Sequence, residues 1–211
     1  MGKPIVHGPG FSTYVRTVRL SLAEKGVAYD LNEFDFLQGM PQEQLDRHPF
    51  GKVPAFEHDG FRLYETFAIC RYVDEAFEGP ALQPGDAKAR ARMTQIFGVL
   101  DSYAYTPIIT NLVIQRLVVP KMGGEPDEAA IRGAIPNAER VLGVVEDFLG
   151  DNVYLAGNDL TLADLCLIPM YTYLTATAES EAILAKTPKL RGWWERVRER
   201  PSVGDTEPQL G

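Results

Sequence analysis

The chain mixes short apolar runs with longer stretches in which apolar residues recur every three or four positions. Residues 3–7 form a brief apolar run stopped by Gly8, Pro9 and Gly10, the pattern of a buried strand. Over residues 12–25, Val15, Val18, Leu20 and Leu22 keep helical spacing, and Gly26 supplies the stop. Tyr29, Leu31, Phe34 and Phe36 then alternate as a second strand. A strand, a helix and a strand in this order imply a right-handed parallel crossover.

Residues 41–48 are polar and predict a short helix or an irregular turn ending at Pro49. Residues 53–57 and 61–64 flank His58-Asp59-Gly60, and Asp-Gly is a strong hairpin signal. Helical spacing returns over 65–77 through Phe67, Ile69, Tyr72, Val73 and Phe77. The predicted order is βαβ, a connection, then ββα, an α/β domain spanning 1–78. Residues 79–86 hold Pro and Gly and read as a linker to an all-α domain at 87–211. That domain shows helical patterns near 87–119, 127–149, 161–178, 181–186 and 188–199. Thr161 and Asp164 have the spacing of a capping box, with Leu160 and Leu165 at the staple positions. The tail from Ser202 has little to bury and is expected to lie loose on the surface.

Composition narrows the function more than the fold. The 211 residues carry a net charge of −8, and the isoelectric point is about 5.0. A nucleic-acid partner needs a basic surface, which this chain lacks. Its densest basic run, from Lys186 to Arg200, is interrupted by Glu195 and Glu199 and reads as a solvated helix face. Cys70 and Cys166 each sit inside an apolar run, which fits buried thiols in a reducing compartment. No signal core or membrane-length apolar segment is visible, so a cytoplasmic protein with no membrane partner is expected.

Several chemistries lack their residues. Gly8-Pro9-Gly10 follows a strand and opens a helix, but Thr13 stands where a dinucleotide fingerprint needs its third glycine. His7, His48 and His58 share no metal-ligand spacing, so no metal is expected. There is no Cys-x-x-Cys and no Gly-x-Ser-x-Gly. What remains is Ser12 at a helix start, Val53-Pro54 before a strand, and Glu65-Thr66 opening another helix. Taken singly, these read as a cap, a turn, and a charge with a cap.

In this order, and within STYVRTVRLSLAEKGVAYDL (12–31), HPFGKVPAFEHDGFRLYETFAICRYVDEAF (48–77), AGNDLTLADLCLIP (156–169) and TPKLRGWWERVRERPSV (187–203), they resemble the cytosolic glutathione S-transferases. The serine-type phi class and its bacterial relatives are the most similar. The resemblance implies a thioredoxin-like first domain that binds glutathione and a helical second domain carrying the acceptor site. It implies Ser12 as the catalytic residue, with Ser12, Lys52, Val53, Pro54, Glu65 and Thr66 holding glutathione. A cis bond before Pro54 turns the Val53 backbone outward, where it can pair with the peptide-like ligand. Phi enzymes usually hold the glycine carboxylate with a His-Lys pair. Here that region reads Leu37-Gln38-Gly39-Met40-Pro41-Gln42, and Lys52 is the cation available to replace it. Phe11, Tyr103, Tyr105 and Ile109 correspond to the acceptor site, with interdomain packing as their plain alternative. Arg16 reads as a structural ion pair or as positive potential near the sulfur. The resemblance also implies a homodimer, with Phe50 and Asp101 as contacts.

The expected reaction is attack of the glutathione thiolate on a small hydrophobic electrophile, a detoxification chemistry. Two rivals stay open: another glutathione reaction (peroxidase, dehalogenase or isomerase), or a non-catalytic carrier on the same fold.

Overall fold

The computed structural model describes residues 2–35 and 39–208. The described residues fall into two compact units, one running to Gln83 and including everything from Glu199 onward, the other Pro84–Arg198.

The first unit follows the predicted order: β1 (Ile5–His7), α1 (Thr13–Glu24), β2 (Asp30–Asn32), α2 (Gln42–Arg47), β3 (Ala55–His58), β4 (Phe61–Tyr64) and α3 (Thr66–Ala76). The sheet order is β2-β1-β3-β4. β1 pairs parallel to β2 with Val6 opposite Leu31, and antiparallel to β3 with Val6 opposite Phe56. The β3–β4 turn is Asp59-Gly60, both at positive φ (48° and 81°), as a two-residue hairpin requires. Val6 and Phe56 are fully buried, as are Val15, Val18 and Leu22 of α1 and Ile69, Cys70 and Val73 of α3. This periodic apolar set is what the sequence pattern marked as core.

Two expectations change. β2 is three residues long, so Phe34 lies beyond its end, and Phe36 lies outside the described residues. An edge strand can be no longer than its partner, and β1 is cut short at Gly8-Pro9. The tail is not loose as far as Thr206. Pro201–Asp205 form a last short helix with Ser202 and Val203 buried, and Thr206 beyond it is buried too. This helix belongs to the first unit, and α1 is what it packs against. Residues 79–82 are also tied down. Lys25 Nζ donates to the Pro80 carbonyl at 3.1 Å, and the Leu82 N–H donates to Asp74 Oδ1 at 2.8 Å.

In the second unit, α4 (Ala87–Val99) runs on into a π-helical stretch, Leu100–Val118. Pro107 lies inside it and cannot donate to the ladder, and wider spacing is one way a helix accommodates such a break. Next come α5 (Glu128–Leu149), α6 (Leu162–Thr175), α7 (Ser180–Leu184) and α8 (Pro188–Val197); the tail helix is α9. Asp164 is fully buried at the start of α6. It accepts from the N–H and hydroxyl of Thr161, from the Leu155 N–H and from Trp193 Nε1, each at 2.9 Å. The box is therefore also a junction between α6, the preceding loop and α8. Among the described residues no helix is long and apolar enough to cross a membrane.

Candidate functional site

Gly8 is the pivot of the first unit's upper edge. Its φ is +139°, and a Cβ there would lie 2.7 Å from Val15 Cγ2 and 3.0 Å from Val53 Cβ. Only a residue without a side chain lets the first turn of α1 and the Val53 loop close in together. The Ser12 N–H then donates to the Pro9 carbonyl at 3.0 Å. Ser12 caps α1 in an ordinary extended conformation (φ −62°, ψ 131°), and its Oγ accepts from the Val15 N–H at 3.4 Å. The hydroxyl hydrogen has no acceptor among the described residues.

The Val53–Pro54 bond is cis. Neither the N–H nor the C=O of Val53 bonds another described residue. The loop itself is fixed from beneath, where fully buried Gln44 donates from Nε2 to the Lys52 carbonyl at 2.8 Å. The Lys52 side chain is exposed, and its ammonium has no partner among the described residues.

Glu65 caps α3 at φ 72° and ψ 115°, with no bond from its side chain into the helix. A non-glycine residue at such a φ costs on the order of 1–3 kcal/mol and persists only where the surroundings impose it. The α3 ladder starts with the Ile69 N–H donating to the Glu65 carbonyl, so the amides of Thr66 and Ala68 have no partner within the helix. The Glu65 carboxylate and the Thr66 hydroxyl likewise have none among the described residues. The start of α3 is thus a positive helix end lined with open donors.

His48, which by sequence reads as one of three scattered histidines, joins these groups. Its ring is buried, tilted against Tyr64 at 4.8 Å between centroids. Burial lowers its pKa; the Glu65 charge opposes this shift and the Lys52 charge adds to it. One imidazole therefore senses charges on two segments separated in sequence. Only its place at the head of the HPFG stretch hints at this.

The other histidines are structural. Asn32 Nδ2 lies 2.9 Å from His7 Nδ1, and burial, followed by the Arg47 charge, lowers the pKa of His7. His58 bonds the Tyr72 hydroxyl at 2.8 Å and the Gly2 carbonyl at 3.2 Å. Among the described residues no group of three or more His, Cys, Asp or Glu could hold a metal ion. Cys70 and Cys166 are buried and form no disulfide; burial pushes the Cys70 thiol up to about 12, far from thiolate chemistry.

Phe11, on the loop before Ser12, is half exposed. Phe50 is 71% exposed, edge-on to His48 and Tyr64, so it does not fold into its own loop's core. Asp101, Tyr103, Tyr105 and Ile109 all lie on the π-helical stretch of the second unit. Asp101 and Tyr103 are exposed, Tyr105 is intermediate and Ile109 is buried. Arg16 is fully buried and donates to the Val203 carbonyl at 3.1 Å and to Thr206 Oγ1 at 3.4 Å. Leu37 and Gln38, from the stretch without cations, lie outside the described residues.

Known proteins resemble the chain throughout. A family model described as the glutathione S-transferase N-terminal domain matches residues 7–81, and one described as the C-terminal domain matches 105–201. Glutathione S-transferase F13 of Arabidopsis thaliana is 31% identical over 210 residues, covering 97% of this chain and 95% of its own. Glutathione S-transferase 3 of Zea mays is 33% identical, covering 95% and 91%. Among solved structures, glutathione S-transferase I from maize in complex with an atrazine glutathione conjugate superposes with a TM-score of 0.85. It is 29% identical and covers 97% of this chain and 96% of its own.

Proposed function

The chain belongs to the glutathione S-transferase family, phi type, and from that premise we propose that it transfers the thiolate of glutathione to small hydrophobic electrophiles. One observation carries the reading: at the start of α1, the Ser12 oxygen is occupied by the cap while its hydrogen stays available. A free thiol with pKa about 8.5 is mostly protonated at neutral pH, and only the thiolate is a good nucleophile. A hydroxyl is too weak a base to take the proton. Ser12 therefore acts by donating a hydrogen bond to the sulfur anion, with the positive end of α1 beside it.

The rest of the ligand follows the open groups. The Val53 backbone, before Pro54, pairs with the cysteinyl residue of glutathione as a short antiparallel ladder. Thr66 and the first amides of α3 take the γ-glutamyl carboxylate, and Glu65 takes its ammonium. Lys52 holds the glycine carboxylate. The electrophile meets Phe11, Tyr103, Tyr105 and Ile109. The protein works as a cytoplasmic homodimer in detoxification, with the Phe50 ring and Asp101 at the partner. No metal, nucleic acid or membrane takes part.

The test is a glutathione-dependent activity screen on an aryl halide, an organic hydroperoxide and an isothiocyanate, beside retention on immobilised glutathione. Turnover of the halide or isothiocyanate is the expected result. Turnover of the hydroperoxide alone favours a peroxidase, and retention without any turnover favours a carrier. Light scattering at micromolar concentration should give about twice the 23.4 kDa of one chain; a single-chain mass removes the dimer.

A further inference from the structure

The loop between β1 and α1 contains two glycines and a proline, yet the two peptide planes that meet at Gly10 are each held by a side chain from outside the loop. The Gly10 N–H donates to Glu33 Oε1 at 2.6 Å, and its carbonyl accepts from Arg19 Nη1 at 3.2 Å. Both groups press close, for a Cβ on Gly10 would lie 3.0 Å from the Glu33 oxygen and 3.2 Å from the Arg19 nitrogen. Arg19 is itself anchored, donating from Nε to the Tyr29 hydroxyl at 2.9 Å and from Nη1 to the Thr206 carbonyl at 3.4 Å. Thr206 is the C-cap of α9, and α9 is fastened along α1 at separate points. Arg16 reaches Val203 and Thr206, while Arg200 grips both oxygens of Glu24 at 2.7 Å.

Gly10 lies two residues before Ser12. The Ser12 N–H on Pro9 closes a turn with Gly10 at its centre, and the Gly8 N–H on Asn32 ties the loop to β2, so Glu33 and Arg19 fix the two peptide planes that lead from this turn to the hydroxyl. We propose that Glu33 and Arg19 are positioning residues that clamp the two peptides meeting at Gly10 and so aim the Ser12 hydroxyl, with α9 holding Arg19 in place through the Thr206 carbonyl. The proposal rests on the transferase reading and on Ser12 as sulfur donor. Neither residue touches the ligand; each acts through the loop. Hydrogen bonds weaken steeply with angle, and displacing a reacting group by about 1 Å can cost on the order of 100-fold.

The test uses the full chain with Glu33→Ala, Glu33→Gln and Arg19→Met. With an aryl halide, Glu33→Ala and Arg19→Met should each lower kcat/KM about ten-fold near neutral pH while KM for glutathione moves less than about three-fold. Their pH profiles should shift upward, because a misaimed hydroxyl stabilises the thiolate less. Glu33→Gln keeps an acceptor oxygen at the same reach and should restore the wild-type profile. Amide hydrogen exchange over residues 8–12 should rise in Glu33→Ala and Arg19→Met and stay low in Glu33→Gln. If Arg19→Met does not fold, the Glu33 pair decides alone. A wild-type pH profile in Glu33→Ala, equal impairment of both Glu33 variants, or unchanged exchange over 8–12 overturns the clamp. A wild type with no glutathione-dependent turnover overturns the transferase reading instead, and the exchange result still reports on the clamp.

Discussion

The two helices that begin in the first unit's site start in opposite ways. α1 opens on Ser12 in a relaxed extended conformation, its oxygen already bonded to the Val15 N–H. α3 opens on Glu65 at φ 72°, with no side-chain cap and with open amides behind it. The first end has its Val15 N–H capped by the chain's own serine, which keeps one hydrogen to spare. The second is incomplete as protein structure, and a carboxylate ligand would finish it. Both ends carry the same positive partial charge, so the difference lies in how much of the cap the chain supplies itself. A finished cap suits a group that must act on a transient charge, whereas an unfinished one suits a permanent anion held before and after reaction.

The contrast is broken most severely at Ser12. Ser12→Ala should cut kcat/KM ten-fold or more near neutral pH, because a bond to an anion contributes roughly 1.5–3 kcal/mol, about one to two pKa units. The bound thiol's pKa then rises, and much of the loss should return at high pH, where the thiol ionises unaided. The lost cap costs only about 1 kcal/mol, so the fold should stand. Equal rates for mutant and wild type at pH 7 would remove Ser12 from the mechanism.

Thr66→Ala probes the other end and should be milder. If α3 binds a part of the ligand that does not change during reaction, KM for glutathione rises several-fold and kcat holds, the mark of uniform binding. A large fall in kcat at saturating glutathione would make the two ends alike and defeat the distinction.

Glu65→Gly should have the smallest effect on the fold, and of unusual sign. Glycine adopts positive φ freely, so relieving the backbone should stabilise the protein by about 1 kcal/mol, a few degrees in Tm. The same change deletes the carboxylate and should weaken glutathione binding. A Tm that stays level or falls, measured by thermal denaturation, means the Glu65 conformation carries no strain.

Much of this was legible beforehand. Asp59-Gly60 demanded its turn and α1 and α3 showed their apolar faces, whereas Ser12, Val53-Pro54 and Thr66, ordinary when taken singly, were marked by their order and the resemblance it carries. The rest was invisible for identifiable reasons. Nothing in a Glu-Thr pair reveals that the glutamate sits at φ 72°; neighbouring elements impose it. His48 looked like a stray histidine until Tyr64 covered it. The five residues of α9 are too few to show a period, and their burial depends on an arginine near the other end of the chain.

What the sequence alone determined is the set of elements and their order, since periodicity, turn residues and caps act over a few positions. What tertiary structure decided is which polar groups stay open and which are closed. The two peptides at Gly10 are closed by Glu33 and Arg19, the tail by Arg16, while the Val53 backbone and the Thr66 and Ala68 amides are left without partners among the described residues. These outcomes hang on pairings as distant as Arg16 with Thr206, 190 positions apart. A hydrogen bond across that span exists only once the core has brought its partners within reach, so no local pattern can encode it.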